Sequence, residues 1–146
     1  MRRTLRALPD EMLRALVRGL ELHADDLAPG RLFRGEGGGC AVGVMLRALY
    51  PEAYARGGLR FVLRHGWRRR AASYGGELAR NPRLRHLEWS FDKAVNQIRA
   101  LQRGTSKREA ARGVGAWLLA DARAELEWRA LRRSTALDRD DVLSRA

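Results

Sequence analysis

The stretch "NPRLRHLEWSFDKAVNQIRALQRGTSKRE", Asn81 to Glu109, holds the signals that decide the fold. Asn81 is a good N-cap, and Pro82 suits the first helical position, where a backbone N–H has no intrahelical partner in any case. Leu84, Leu87, Phe91, Ala94, Ile98 and Leu101 follow at alternating three- and four-residue steps, which places them on one side of a helix as an apolar seam. Gly104 stands where a helix end favours a residue free to take positive φ. Just beyond it, Ser106-Lys107-Arg108-Glu109 has the form of a capping box, in which the serine and glutamate side chains each satisfy a backbone N–H left open by the first turn. A second helix therefore opens here, and Ala111, Val114, Leu118, Ala122 and Leu126 carry it towards Arg133. Two such helices, about 82–103 and 106–133, joined by a short turn, predict a long antiparallel hairpin.

Working outward, helical periodicity recurs and the alternating β-branched pattern of strands does not. Met12, Leu16 and Leu20 mark a helix from Pro9 to His23, broken by Asp25, Asp26, Pro29 and Gly30. A short helix follows from Cys40 to Leu49 and stops before Pro51. Pro51 to Arg56 reads as a weak turn and Leu59 to Tyr74 as a further helical element, which Gly75 and Gly76 close before one more turn at Glu77 to Arg80. The expected architecture is an all-α, single-domain helical bundle over 1–133, with the shorter N-terminal helices packed on the hairpin and a polar, frayed tail at 134–146. A chain of 146 residues is large enough for one such core.

Net charge is the largest departure from an ordinary composition. The 29 basic residues exceed the 17 acids by 12, and all the bases but Lys93 and Lys107 are arginine. An excess of this size favours an anionic partner. It is concentrated: between Ala53 and Leu87, Arg56, Arg60, Arg64, Arg68, Arg69, Arg70, Arg80, Arg83 and Arg85 face a single acid, Glu77. Arg60, Arg64 and Arg68 recur every four residues and form one helical stripe beside Trp67, the arrangement that phosphate contact with base stacking requires. The same residues also suit a solvated face, or a helix lying on anionic lipid.

The glycine-rich stretch "RGEGGGCAVGVML", Arg34 to Leu46, invites three other readings. Gly38 and Gly43 have the spacing of a phosphate-binding loop, but Val44 and Met45 stand where lysine and a hydroxyl residue are needed. The dinucleotide pattern fails likewise, with Val42 in place of its third glycine. Cys40 at a helix start gains from the helix dipole as a thiolate, yet no motif ties His23, His65 or His86 to it as a base. Its apolar surroundings predict a buried, structural cysteine, with free N–H groups around Gly38, Gly39 and Cys40 as an anion site of last resort. The histidines are too scattered for a metal, and no cofactor is expected.

A helix-turn-helix aligned on Ala111 and Gly115 fails at Asp121, which occupies an apolar position of that motif, and "AWLLADARAEL" contains no turn. Gly113 and Gly115 are read instead as close-packing glycines within a continuous helix. Trp89 lies off the seam and Trp128 near the far end of the last helix, so each widens the core or marks a partner surface, and a homodimer built on the two long helices would double the basic face. No run is apolar enough to span a bilayer, no secretion signal is legible, and the single cysteine fits the cytoplasm. The expected function is non-enzymatic binding of DNA or structured RNA through arginine–phosphate contacts. The alternatives are an adaptor for an acidic protein, or a small enzyme using Cys40 or the anion site.

Overall fold

The computed structural model describes residues 1–30, 39–52 and 82–144, with side chains described as far as Ala136 in the last span. These form an all-α structure of five helices, α1 (Arg2–Arg6), α2 (Asp10–His23), α3 (Ala41–Leu49), α4 (Pro82–Leu101) and α5 (Lys107–Ser144), with a 3₁₀ turn at Ala24–Asp26. All five share one core. Its widest contact is α2 on α3, followed by α2 on α5 and α4 on α5, so the centre lies at the α2–α3 pair as much as at the two long helices.

Pro9 precedes α2 in an extended conformation, and Leu13, Leu16 and Leu20 are buried along it, while Met12 is only partly covered. Gly19 is what brings α3 close: a Cβ there would run into the main-chain carbonyl of Val44. On α3, Ala41, Val42, Val44 and Met45 are all buried, as befits a helix enclosed on most sides. A parallel backbone bridge between Leu27 and Gly39 leads the chain into this helix.

On α4, Leu84, Leu87, Phe91 and Val95 are fully buried. The predicted seam departs from this at its end: Leu101 is 84% exposed, and Ala94 and Ile98 are only partly covered. A straight helix repeats every 3.6 residues, so a strict 3.5-residue seam drifts off the core within a few turns. The capping box is present, with Ser106 N–H donating to Glu109 Oε2 at 2.8 Å and Glu109 N–H to Ser106 Oγ at 3.2 Å. Gly104 takes φ of +94° at the end of the preceding turn. Ala110, Ala111, Val114, Leu118 and Ala122 bury the inner face of α5, which runs unbroken through Gly115. Gly115 packs against the Leu27 side chain, but Gly113 faces open space rather than a neighbour. The helix continues past Arg133 to Ser144.

Helix α1 was not expected from sequence. Its C-terminal end is tied to α5: Arg129 donates to Leu5 O at 3.2 Å, Arg6 O at 3.0 Å and, just beyond the helix, Leu8 O at 2.9 Å, while its remaining N–H groups reach Asp10 at 2.6 Å and Glu125 at 3.0 Å.

Candidate nucleic-acid interface

Of the predicted arginine ridge, Arg56, Arg60, Arg64, Trp67, Arg68, Arg69, Arg70 and Arg80 lie outside the described residues, as does the helical element expected there. The ridge's last two members are placed. Arg83 and Arg85 are both exposed on the first turns of α4, and Arg83 donates to Ala7 O at 2.6 Å, tying this helix start to α1.

From Arg85 onward, the side of α4 turned away from the core is basic, aromatic and free of carboxylates. Arg85, His86, Trp89, Lys93, Asn96, Gln97 and Ala100 are all exposed there. Trp89, 57% exposed, anchors the group. The His86 ring lies parallel to it, with planes 8° apart and centroids 5.8 Å apart, and the Lys93 ammonium sits 4.8 Å from its centroid. Cation–π attraction thus holds the Lys93 ammonium, and ring stacking the His86 imidazole, against an exposed indole. The two acids of α4 lie elsewhere: Asp92 Oδ1 accepts the Gly30 N–H at 2.9 Å, and Glu88 is half-buried, its carboxyl pushed up first by burial and then by Asp92. Trp89 was legible as an off-seam residue. His86 and Lys93 were missed, although their three- and four-residue spacing from Trp89 is the signal that groups them.

The basic character continues into the α4–α5 turn. Arg99, Arg103, Lys107, Arg108 and Arg112 are exposed, against one acid, Glu109, which is occupied in the capping box. Arg108 and Arg112 both reach Asp25, the first through its carbonyl at 3.2 Å and the second through its carboxylate at 2.7 Å. Arg99, Arg103 and Lys107 have no ion-pair partner among the described residues. A groove of about 650 Å³ opens beside this turn, lined by Ile98, Gln102, Arg103, Thr105, Glu109 and Trp117 among others.

The glycine-rich stretch presents a different chemistry. Gly38 lies outside the described residues. The Gly39 N–H donates to Asp26 O at 3.3 Å, so it is engaged within the chain. Cys40 precedes α3 with its side chain fully buried. Burial pushes its thiol up to about 12, and the nearby Glu88 and Asp92 carboxylates add to this, outweighing the Gly43 and Val42 N–H groups that pull the other way. A thiol so placed is neutral at physiological pH and a poor nucleophile. Neither described histidine serves it as a base: His23 Nδ1 faces Arg47 at 3.5 Å, and His86 is stacked on Trp89. No cluster of three or more metal-ligating side chains occurs among the described residues, and no described helix is long and apolar enough to cross a membrane. The chain matches no known family model, no curated protein and no solved structure.

Proposed function

We propose that the protein is a non-enzymatic, cytoplasmic nucleic-acid-binding protein that holds DNA or structured RNA through phosphate contacts. The observation that carries this reading is the outer face of α4, where Arg85, His86, Trp89 and Lys93 form an exposed, carboxylate-free surface. In sequence this face continues the arginine-rich segment between Ala53 and Leu87, which holds most of the chain's charge excess. Guanidinium and ammonium groups on such a surface displace condensed counterions from a polyanion, and an exposed indole offers a stacking platform for an unpaired base. The burial of Cys40 gives no support to a thiol enzyme.

The test is the salt dependence of binding to fluorescently labelled duplex DNA and RNA. Replacing Arg60, Arg64 and Arg68 together by alanine should flatten the slope of log K against log salt by about 2–3 units, at roughly 0.9 per phosphate neutralised. The loss should be similar for unrelated sequences, because phosphate contacts position a protein without reading bases. Lys93→Ala should remove a further unit or so, while Trp89→Ala should weaken single strands more than duplexes. Unchanged affinity and slope in all of these variants would falsify the reading. Binding to polyglutamate without binding to nucleic acid would assign the basic surface to an acidic protein.

A further inference from the structure

Six large apolar side chains are conspicuously exposed among the described residues, and three of them, Trp117 (62%), Trp128 (48%) and Leu131 (66%), lie on one stripe of α5. The intervals from Trp117 through Ala124, Trp128 and Leu131 to Thr135 follow a heptad repeat, interrupted by Asp121, whose carboxylate is held by Arg2 at 3.1 Å, and ending on Thr135, whose hydroxyl donates to Leu131 O at 3.2 Å and so turns back on its own helix. The stripe is rotated away from the buried Val114, Leu118 and Ala122 face, so it is a second seam on a helix whose first seam is already used. Moreover, every described side chain from Ala130 to Ala136 is exposed, and beyond Arg129 only Arg133 reaches back to the body, to Asp10 at 2.6 Å. A helical end standing this free is marginal in water without packing on its apolar side.

The charges beside the stripe identify what covers it. Glu127 borders it on one side and Arg132 on the other, and neither has a carboxylate–base partner among the described residues; Arg132 lies only over the Trp128 ring, at 4.8 Å. In heptad terms these are g and e positions five residues apart, the spacing at which a parallel, in-register pair brings the Glu127 flank of one helix against the Arg132 flank of the other. An antiparallel pair would lay each flank against the same flank of its mate, acid towards acid and base towards base. We infer that α5 is the interface of a parallel homodimer, in which the stripe from Trp117 to Thr135 packs on its own copy and two symmetric Glu127–Arg132 pairs fix the orientation. The inference rests on α5 alone and not on nucleic-acid binding.

Analytical ultracentrifugation of the full chain, with oxidative cross-linking, tests it. The wild-type protein should sediment as a dimer, and Trp128→Ala with Leu131→Ala should convert it to a monomer that keeps its folded core and loses helicity only at the end of α5, since both side chains are exposed in the single chain. Glu127→Arg or Arg132→Glu alone should weaken dimerisation by about tenfold or more, because each sets like charges together at two places, and the double exchange should restore it. Leu131→Cys should cross-link to its own copy under mild oxidation, because the same position meets itself across a parallel seam, while buried Cys40 stays out of the reaction. A wild-type monomer, a dimer indifferent to the stripe, or charge variants that the double exchange does not rescue would each overturn the proposal.

Discussion

The α2–α3 contact and the α1–α5 junction hold the same fold by opposite means. At the first, Gly19 admits the Val44 carbonyl and apolar side chains close around it. At the second, a part-buried polar joint is built on one side chain, with four hydrogen bonds of Arg129 joining α5 to the end of α1 and the start of α2 and a fifth, to Glu125, fixing it within α5. One answers to volume, the other to charge. The largest expected effect therefore lies at the glycine. Gly19→Val places branched carbons against main-chain atoms that cannot rotate aside, so α2 and α3 must separate, at a cost of about 3–5 kcal/mol. A urea midpoint equal to that of the wild type would show that the close approach is not required.

Arg129→Met keeps most of the side-chain volume and removes every donor. It should cost about 2–4 kcal/mol, because three main-chain carbonyls and two carboxylates each lose one hydrogen bond together. The damage should be local, with amide exchange accelerating over Leu5 to Leu8 while the α2–α3 core keeps its protection. Uniform loss of protection would instead make the junction part of the global unit.

Titration separates the two regions further. Hydrogen bonds from Arg129 and then Arg133 hold the Asp10 carboxyl below its ordinary range. A depressed carboxylate adds stability above its unfolded pKa of about 3.9 and loses it as the pH falls through the folded value. The acid-side decline should thus be shallower in Asp10→Asn. Cys40, beside the apolar contact, has the opposite sign. Its raised thiol adds stability below the unfolded pKa of about 8.5 and loses it progressively as the pH rises from there towards about 12. Cys40→Ala should flatten the alkaline arm and leave the acid arm alone.

The same division governs what could be read from sequence. The capping box at Ser106 and Glu109, the helix from Cys40's successor to Leu49, and most of both seams are local or periodic signals, and they stand where the residues put them. Helix α1 was illegible because five residues carry too little periodicity, and its partner Arg129 lies more than a hundred positions away. Leu101 was misplaced because a strict 3.5-residue spacing drifts off the core face of a helix that repeats every 3.6 residues. Gly113 and Gly115 looked equivalent since sequence cannot tell which of two neighbouring helix positions meets a neighbour. At the candidate site, charge and the off-seam Trp89 were readable, but the grouping with His86 and Lys93 depends on which side of α4 is left uncovered.

The smallest expected effects come from those two glycines, and they calibrate the comparison. Alanine in a helix interior is favoured over glycine by about 1 kcal/mol. At Gly113 nothing lies within 4 Å of the new methyl group, so Gly113→Ala should stabilise the protein by nearly that amount. At Gly115 the methyl group meets Leu27 Cδ1, the far end of a flexible side chain that can change rotamer. The cost of that adjustment is about 1 kcal/mol, so propensity and crowding should nearly cancel and leave the melting temperature close to that of the wild type. The gain in propensity is the same at Gly19, where the obstacle is backbone and no rotamer relieves it. The order Gly113→Ala, Gly115→Ala, Gly19→Ala, from stabilised to destabilised, therefore measures how rigid each neighbour is. If Gly115→Ala proved as damaging as Gly19→Ala, Leu27 would be as immobile as main chain, and the apolar centre of the fold would extend from α2 and α3 through to α5.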